Sequence, residues 1–135
     1  MALLLLSIPI TGCEREVSFT TASLTEATMC QSVDDSMQPL NATDVFAPDT
    51  SEIFCSVKLS NAPPDTEVKA EWIYIEGELE DISNYLIDEW SLTANGTQYL
   101  SHSITIPDAG WPKGDYKIVL YVNGEEELSV PFAVK

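Results

Sequence analysis

The sequence has few basic residues. Six Lys and Arg stand against 22 Asp and Glu, so the formal net charge of the 135-residue chain is −16. A surface this acidic repels the phosphates of nucleic acids and the headgroups of anionic lipids. We therefore expect no nucleic-acid partner, and we interpret most of the charge as the solvated surface of one domain.

The sequence also lacks the motifs of common catalytic sites. It contains no nucleophile elbow, no HExxH, no glycine-rich phosphate loop and no CxxC. The one histidine, His102, lies between Leu100 and Ile104 on the inward side of a predicted strand, where a hydrogen-bonded packing residue is the usual occupant. The sequence thus predicts a protein that is not an enzyme and has no catalytic residues and no cofactor.

Acidic residues cluster in three places, but no cluster has the ligand spacing of an EF-hand loop. The clusters are Asp34-Asp35, Glu76 to Asp81 and Glu125 to Glu127. We interpret them as a charged surface that keeps strand edges soluble, and we predict no metal site. The alternative is a calcium-dependent carbohydrate-binding module, in which the acidic loops and Trp111 would form the site.

Long apolar runs are missing as well. Ala2 to Ile10 is much shorter than the roughly 20 residues needed to span a bilayer, and it is typical of the apolar core of a signal peptide. It ends in Ile10-Thr11-Gly12-Cys13, which resembles the lipobox of prokaryotic lipoproteins. That resemblance implies that Cys13 carries a lipid and becomes the first residue of the mature chain. The lipid would then anchor the protein to the cell membrane, outside the cytoplasm.

This interpretation divides the chain into three parts. Residues 1–12 form a lipoprotein signal peptide, residues 13–22 form a polar tether that we expect to be flexible, and residues 23–135 form the folded domain. The first expected partner is therefore the membrane, which the N-terminal lipid enters.

Two Asn-Gly pairs in the domain predict β-hairpins. Gly114 to Val134 alternates apolar and polar residues on both sides of Asn123-Gly124, a pair suited to a type I′ turn. Ala94 to Thr97 contains the other pair, and we predict strands at Tyr85 to Thr93 and Tyr99 to Ile106 on either side of it. The residues 82–92 also fit a short helix, which remains an alternative.

Three further strands are predicted upstream, at Leu24 to Val33, Glu52 to Ser60 and Glu67 to Ile75. The segment Asn61 to Asp65 contains two prolines, which cannot donate to a ladder, and we expect it to separate the second strand from the third. Asp34 to Asp49 is rich in turn residues and predicts a long loop, in which Val45 and Phe46 are expected to be buried.

Seven short strands without a long helix predict an all-β protein, an antiparallel β-sandwich with Greek-key connections.

Cys55, Trp72 and Tyr116 resemble the core of an immunoglobulin-like domain, with Tyr116 as the corner tyrosine. Ile118 stands where an antibody-type domain has its second cysteine. The stretches FAPDTSEIFCSVKLSNAP and GWPKGDYKIVLYVNG are similar to immunoglobulin-like domains of uncharacterised prokaryotic envelope lipoproteins. This resemblance implies a fold and a location, and no catalytic residues.

With Cys13 lipidated, Cys30 and Cys55 remain as a pair in an oxidising compartment. A disulfide between them would link two strands that we expect to be neighbours. Simple alternation places Cys55 inward and Cys30 on the face opposite to Met29, so a bulge would be needed to bring the two thiols together. A disulfide and two buried free thiols are therefore both left open.

Several apolar side chains are candidates for a contact patch, since contiguous apolar surface marks binding sites. These residues are Ile73, Ile75, Trp111 and Tyr121. A cover over the end of the core is the alternative interpretation for the aromatic ones. From the sequence as a whole we expect a non-catalytic, lipid-anchored domain that binds or scaffolds another envelope component, either a protein or a glycan.

Overall fold

A computed structural model describes residues 20–135, which form seven β-strands. They are β1 (Ser23–Val33), β2 (Pro39–Ala42), β3 (Val45–Phe46), β4 (Glu52–Gly77), β5 (Tyr85–Thr105), β6 (Gly114–Val122) and β7 (Glu125–Val134). The predicted signal peptide, Cys13 and most of the predicted tether lie outside the described residues. Across residues 20–135, the structure contains no helix with the length and apolar character needed to cross a membrane.

Hydrogen bonds join the strands in the order β2-β1-β4-β6-β7-β3, and β5 pairs with β4 beside this path. All pairs are antiparallel except β3 with β7, which is parallel. The all-β architecture and the number of strands confirm the predicted fold class. The short parallel pair at one edge is the departure from a purely antiparallel arrangement.

Strands β4 and β5 each belong to both layers of a sandwich. The first half of β4 pairs with β1 and its second half pairs with β6, while β5 follows β4 along both halves. The register shifts on either side of Ala62, which pairs with Gly96. At this bend both strands pass from one layer to the other, which is how corners are made in packed sheets. The connection from β5 to β6 then crosses between the layers, as in a Greek key.

The predicted hairpin at residues 94–97 is wrong. β5 runs through these residues, and Gly96 pairs with β4. Asn61, Asp65 and Gly96 all have positive φ and lie at the bend. Asn, Asp and Gly tolerate this conformation in a bulge as well as in a tight turn, so the Asn-Gly pair alone does not distinguish a bend from a hairpin.

The predicted break at Pro63 and Pro64 is likewise a bend inside β4. Neither proline has a partner in the pairing of β4 with β5, because the register shifts there. A missing backbone N–H therefore costs no ladder hydrogen bond at these positions. The strands predicted at 52–60 and 67–75 are the two halves of one long strand.

Two other local predictions are confirmed, and the predicted burial of Val45 is wrong. The last hairpin turns at Asn123 and Gly124, which have φ of 50° and 86° as a type I′ turn requires. Residues 85–93 are strand and not helix. The loop predicted at 34–49 contains the short strands β2 and β3, and of its apolar pair Phe46 is buried whereas Val45 is exposed.

The core is built around Trp72 and Tyr116, as the resemblance to an immunoglobulin-like domain implies. Trp72, Tyr116, Ile118 and Phe132 are all buried. The ring of Phe132 lies 5.9 Å from that of Trp72 and 5.1 Å from that of Tyr116, between ring centroids. The Tyr116 hydroxyl donates to the carbonyl of Pro112 at 2.5 Å, four residues upstream, which is the bond of a tyrosine corner. Burial raises the pKa of Tyr116, which keeps this hydroxyl protonated.

Cys30 and Cys55 are free thiols in the structure, and both are buried. In the register of β1 with β4, Met29 pairs with Cys55 and Cys30 pairs with Phe54. Paired residues share a face and successive residues alternate, so the two cysteines lie on opposite faces of the layer. The bulge in β1 comes earlier in the strand and does not realign them. No disulfide therefore joins the two residues, because their side chains point to opposite faces, as simple alternation in the sequence predicts.

The chain enters the domain at the bend. Thr21 donates from its hydroxyl to the carbonyl of Asn61 at 2.6 Å, and Ser23 pairs with Ser60. Ala22, the last residue of the predicted tether, is buried in the core. The folded part of the protein thus begins a little earlier than the first strand.

Candidate functional site

An apolar groove opens at the end of the sandwich opposite the bend. Its volume is about 380 Å³, and it is lined by Tyr74, Leu79, Ile82, Tyr85, Ile87, Pro107, Trp111, Pro112 and Tyr116. Three of its side chains are substantially exposed, Leu79 at 39%, Ile82 at 40% and Tyr85 at 58%. Contiguous apolar surface of this kind marks contact sites more often than single exposed residues do.

The loop between β4 and β5 forms one wall of the groove and is fixed by hydrogen bonds. The backbone N–H of Glu78 donates to the carbonyl of Lys113 at 2.9 Å, and that of Asn84 donates to the carbonyl of Ile75 at 2.9 Å. The N–H of Leu79 donates to the hydroxyl of Tyr74 at 3.0 Å. Leu79 and Ile82 are therefore held over the groove by the loop and not by burial of their own side chains.

Two glycines let the loop approach the start of β6. A Cβ added at Gly77 would lie 2.2 Å from the carbonyl oxygen of Lys113, and one added at Gly114 would lie 2.3 Å from that of Glu76. Both contacts are to backbone, which cannot swing away as a side chain would. The wall of the groove depends on the absence of side chains at these two positions.

Trp111 forms the floor of the groove. Its indole N–H donates to the carbonyl of Thr50 at 2.6 Å, and its backbone N–H donates to the carbonyl of Pro48 at 2.9 Å. The residue is buried, which confirms the aromatic cover over the core end.

The chain segments around the groove are acidic, and we call them its rim. The segments 74–89 and 105–116, which form this end of the domain, carry one lysine, Lys113, and the following carboxylates: Glu76, Glu78, Glu80, Asp81, Asp88, Glu89, Asp108 and Asp115. Low-dielectric walls lined with charge of one sign concentrate the field above them. This end of the protein therefore attracts cations and repels anions.

The groove lies far from the point at which the chain enters the domain. Thr21 and Ser23 contact β4 beside the bend, whereas the N–H of Ile106 donates to the carbonyl of Ser51, the residue before the other end of the same half-strand. At about 3.3 Å per residue, the two ends of this half of β4 are about 25 Å apart. Any anchor that precedes Thr20 is thus attached at the end opposite the groove.

The four residues predicted as a contact patch do not form one surface. Trp111 is in the floor of the groove, whereas Ile73, Ile75 and Tyr121 are half-buried on the outer face of the second layer. Ile73 pairs there with the exposed Leu86. Ile75 lines a separate shallow hollow of about 480 Å³.

Tyr121 takes part in a small polar cluster on the same outer face. Its hydroxyl donates to Glu71 at 2.6 Å, which raises the pKa of Tyr121 to about 12. The ammonium of Lys69 lies 3.4 Å from Glu71 and 5.2 Å from the centroid of the Tyr121 ring. Because its partners are already present on the protein, Tyr121 is a packing residue of this face.

His102 is the hydrogen-bonded packing residue that its position predicted. Its Nδ1 accepts a hydrogen bond from the indole N–H of Trp72 at 2.9 Å, and its ring stacks on Trp90 at 4.8 Å between centroids. It lies between the two layers, beside a small void of about 10 Å³.

Among residues 20–135, no three or more His, Cys, Asp or Glu side chains are placed to hold a metal ion.

One feature of the sequence is a signal of the groove. Leu79 and Ile82 are large apolar residues within and beside an acidic loop, where solvent-facing polar residues are usual. The prediction for this segment is a strand at Tyr85 to Thr93 or a helix over 82–92, and neither places Ile82 and Tyr85 on one surface with Leu79. These residues share a surface because of the path of the loop, and hydrophobic periodicity does not predict that path.

No protein-family model and no curated protein matches the sequence. Solved structures are similar in fold. An immunoglobulin-like protein from Pseudomonas aeruginosa matches with a TM-score of 0.53 and 14% identity, covering 84% of this chain and 96% of that one. The chain has an immunoglobulin-like fold. This confirms the part of the resemblance that concerned the fold.

Two larger proteins contain a similar domain. The alkylpurine DNA glycosylase AlkC of Pseudomonas fluorescens matches with a TM-score of 0.54 and 18% identity over 84% of this chain. β-Glucosidase 3B of Thermotoga neapolitana matches with a TM-score of 0.54 and 11% identity over 87% of this chain. This chain spans only 30% and 16% of their respective lengths. At such identities the likeness concerns the fold alone.

Proposed function

We propose that the protein is a non-catalytic, lipid-anchored module of the cell envelope that binds another envelope component through the groove at the end of its sandwich. The observation that carries the proposal is the position of this groove. It is apolar, partly exposed and fixed by backbone hydrogen bonds, and it lies at the end opposite the entry of the chain. A lipid on Cys13 would therefore hold the groove away from the bilayer.

The acidic surface supports this orientation. The chain has a formal net charge of −16, nearly all of it in the domain, so the domain is repelled by anionic headgroups and does not lie down on the membrane. A short polar tether between the lipid and the domain is consistent with this separation. The envelope location rests on the lipobox-like sequence that ends at Cys13.

The anchor is tested by the mass and detergent partitioning of protein taken from membranes of its own host. We expect a chain that begins at a lipidated Cys13 and enters the detergent phase. Cys13→Ser should enter the aqueous phase with its circular dichroism and melting temperature unchanged. An intact, unlipidated N-terminus on the wild-type protein would overturn the lipoprotein proposal.

The binding end is tested by photo-crosslinking in intact host cells. A crosslinking phenylalanine analogue placed at Ile82 reports on the groove, and the same analogue at Asn95 reports on the bend at the other end. We expect one discrete adduct from position 82, lost when Cys13→Ser is added, and none from position 95. Equal adducts from both positions, or none from position 82, would contradict a binding role for the groove.

A further inference from the structure

The start of β5 offers a free backbone edge directly beside the groove. In the part of the chain that the structure describes, β5 hydrogen-bonds to β4 alone. The backbone N–H of Glu89 donates to the carboxylate of Asp88 at 2.9 Å, a bond within β5 itself. An unpaired edge of this kind can accept an extended peptide as an additional strand.

Side chains along this edge alternate between the groove and the outer face. Tyr85 pairs with Tyr74 and lines the groove together with Ile87, whereas Leu86 pairs with Ile73 on the outer face. The pairing of β4 with β5 shifts its register between Ile73 and Trp72, so this alternation holds from Tyr85 to Ile87, and a peptide added along these residues would follow it. Every second side chain of the peptide would then lie over the groove.

The negative charge around the edge determines which peptide side chains are favoured. Glu80 and Asp81 lie on the loop above the groove, Asp88 and Glu89 lie on β5, and all four are exposed. Like charges opposite one another destabilise a strand pair and opposite charges stabilise it. An acidic strand, including a second copy of this chain, is therefore disfavoured, and Lys or Arg is favoured.

We propose that the groove and the free edge of β5 bind an extended segment of an envelope protein in which bulky apolar residues alternate with Lys or Arg. The inference rests on the proposed function, since it names the partner chemistry of the same groove. Backbone hydrogen bonds to β5 hold the segment, its apolar side chains enter the groove, and its cationic side chains meet the acidic rim.

The probe is a fluorescent synthetic peptide of about eight residues in which Phe and Val alternate with Lys. We expect it to bind the full chain in an anisotropy titration, with an affinity that falls between about 0.05 M and about 0.5 M NaCl because the rim charges are screened. Replacing Lys by Glu in the peptide, or N-methylating the peptide bonds on the side that faces β5, should abolish binding. Equal binding of the Glu peptide or the N-methylated peptide would overturn the proposal.

Neighbouring substitutions on the protein separate the groove from the rest of the edge. Tyr85→Ser should weaken binding by about tenfold or more, since a central aromatic is removed. Leu86→Ser is the matched control, because Leu86 is also exposed, at 44%, but points to the outer face, and it should change the affinity little. The double variant E80K/D81K should weaken binding and flatten its salt dependence without affecting any buried side chain. Equal effects of Tyr85→Ser and Leu86→Ser would contradict the geometry.

Two other binding partners of the groove, a second copy of the chain and a lipid surface, would give different experimental results. Sedimentation that shows a dimer for the wild type and a monomer for Tyr85→Ser would replace the peptide by a second copy, and binding of the chain to anionic vesicles through Tyr85 would replace it by a lipid surface. If crosslinking from Ile82 succeeds but the Lys peptide does not bind, the partner chemistry is wrong and the proposed function stands. If neither succeeds, both fail.

Discussion

The indole N–H of Trp72 donates to Nδ1 of His102 at 2.9 Å, across the interior between the two layers of the sandwich. Because Nδ1 accepts, the neutral imidazole carries its proton on Nε2. Trp90 stacks on the imidazole ring and helps to exclude water from it. Burial lowers the pKa of His102, and the nearby carboxylate of Asp88 only partly opposes this effect. The only histidine of the chain thus joins the layers in its neutral form.

This pKa makes the stability of the protein depend on pH. The histidine of the unfolded chain has a pKa near 6.5 and the folded pKa is lower, so the unfolded state binds the proton first as the pH falls. The contribution of His102 is fully present above about pH 6.5 and is lost as the pH falls through the folded pKa. We expect urea unfolding to give a lower free energy at about pH 5 than at about pH 7.5. His102→Gln should remove most of this difference, and an equal pH dependence in the variant would refute the assignment.

Substitutions at Trp72 should separate its packing from its hydrogen bond. Trp72→Ala removes a fully buried aromatic side chain and should cost about 3 to 5 kcal/mol of unfolding free energy. Trp72→Phe keeps an aromatic ring but leaves Nδ1 of His102 without its donor, which should add about 1 to 3 kcal/mol to the cost of the smaller ring. Combining Trp72→Phe with His102→Phe should recover part of that loss in chemical denaturation. A strictly additive double variant would show that the bond contributes nothing.

Tyr116→Phe should destabilise the protein by about 1 to 3 kcal/mol, because the carbonyl of Pro112 loses its partner at a part-buried position. Tyr85→Phe is the control, since Tyr85 is 58% exposed, and it should leave the denaturation midpoint unchanged. The same loss for both variants would mean that the corner bond has no special role. Tyr116 also lines the groove, so crosslinking from Ile82 should be measured on the folded Tyr116→Phe variant as well.

Gly77→Ala should disturb the wall of the groove more than its small size suggests. The added methyl group would lie 2.2 Å from the carbonyl oxygen of Lys113, so β4 and the start of β6 must separate. We expect a loss of about 1 to 3 kcal/mol, as for other overpacked sites, and faster amide hydrogen exchange at Glu78, whose N–H bonds that same carbonyl. Gly124→Ala has open space around the new methyl group, so exchange at Glu78 should stay at the wild-type rate in that variant.

Much of the fold follows from local chemistry that a sequence displays directly. The alternation from Gly114 to Val134 and the Asn123-Gly124 pair identify the last hairpin, because strand period and positive φ are both local properties. Tyr116 and Trp72 are identified by their resemblance to the core of an immunoglobulin-like domain. The bend at Ala62 and Gly96 was missed because the same residues that permit a turn permit a bulge, and only the packing of two layers decides between them. The groove was missed for a related reason, since it joins residues from separate loops.

The thiols of Cys30 and Cys55 should react only when the protein unfolds. Both are buried, and burial raises the pKa of Cys30. Burial also raises the pKa of Cys55 to about 12, and the nearby Cys30 makes a smaller contribution to that increase. The reactive thiolate is therefore scarce near neutral pH as well as inaccessible. We expect iodoacetamide to modify neither residue in the folded Cys13→Ser variant and to modify both in urea, as intact mass would show. The contrary result is a native mass lower by two hydrogens, with both sites unreactive in urea until a reductant is added. That result would show that a disulfide joins the two cysteines. It would require β1 to shift its register so that Cys30 shares a face with Cys55.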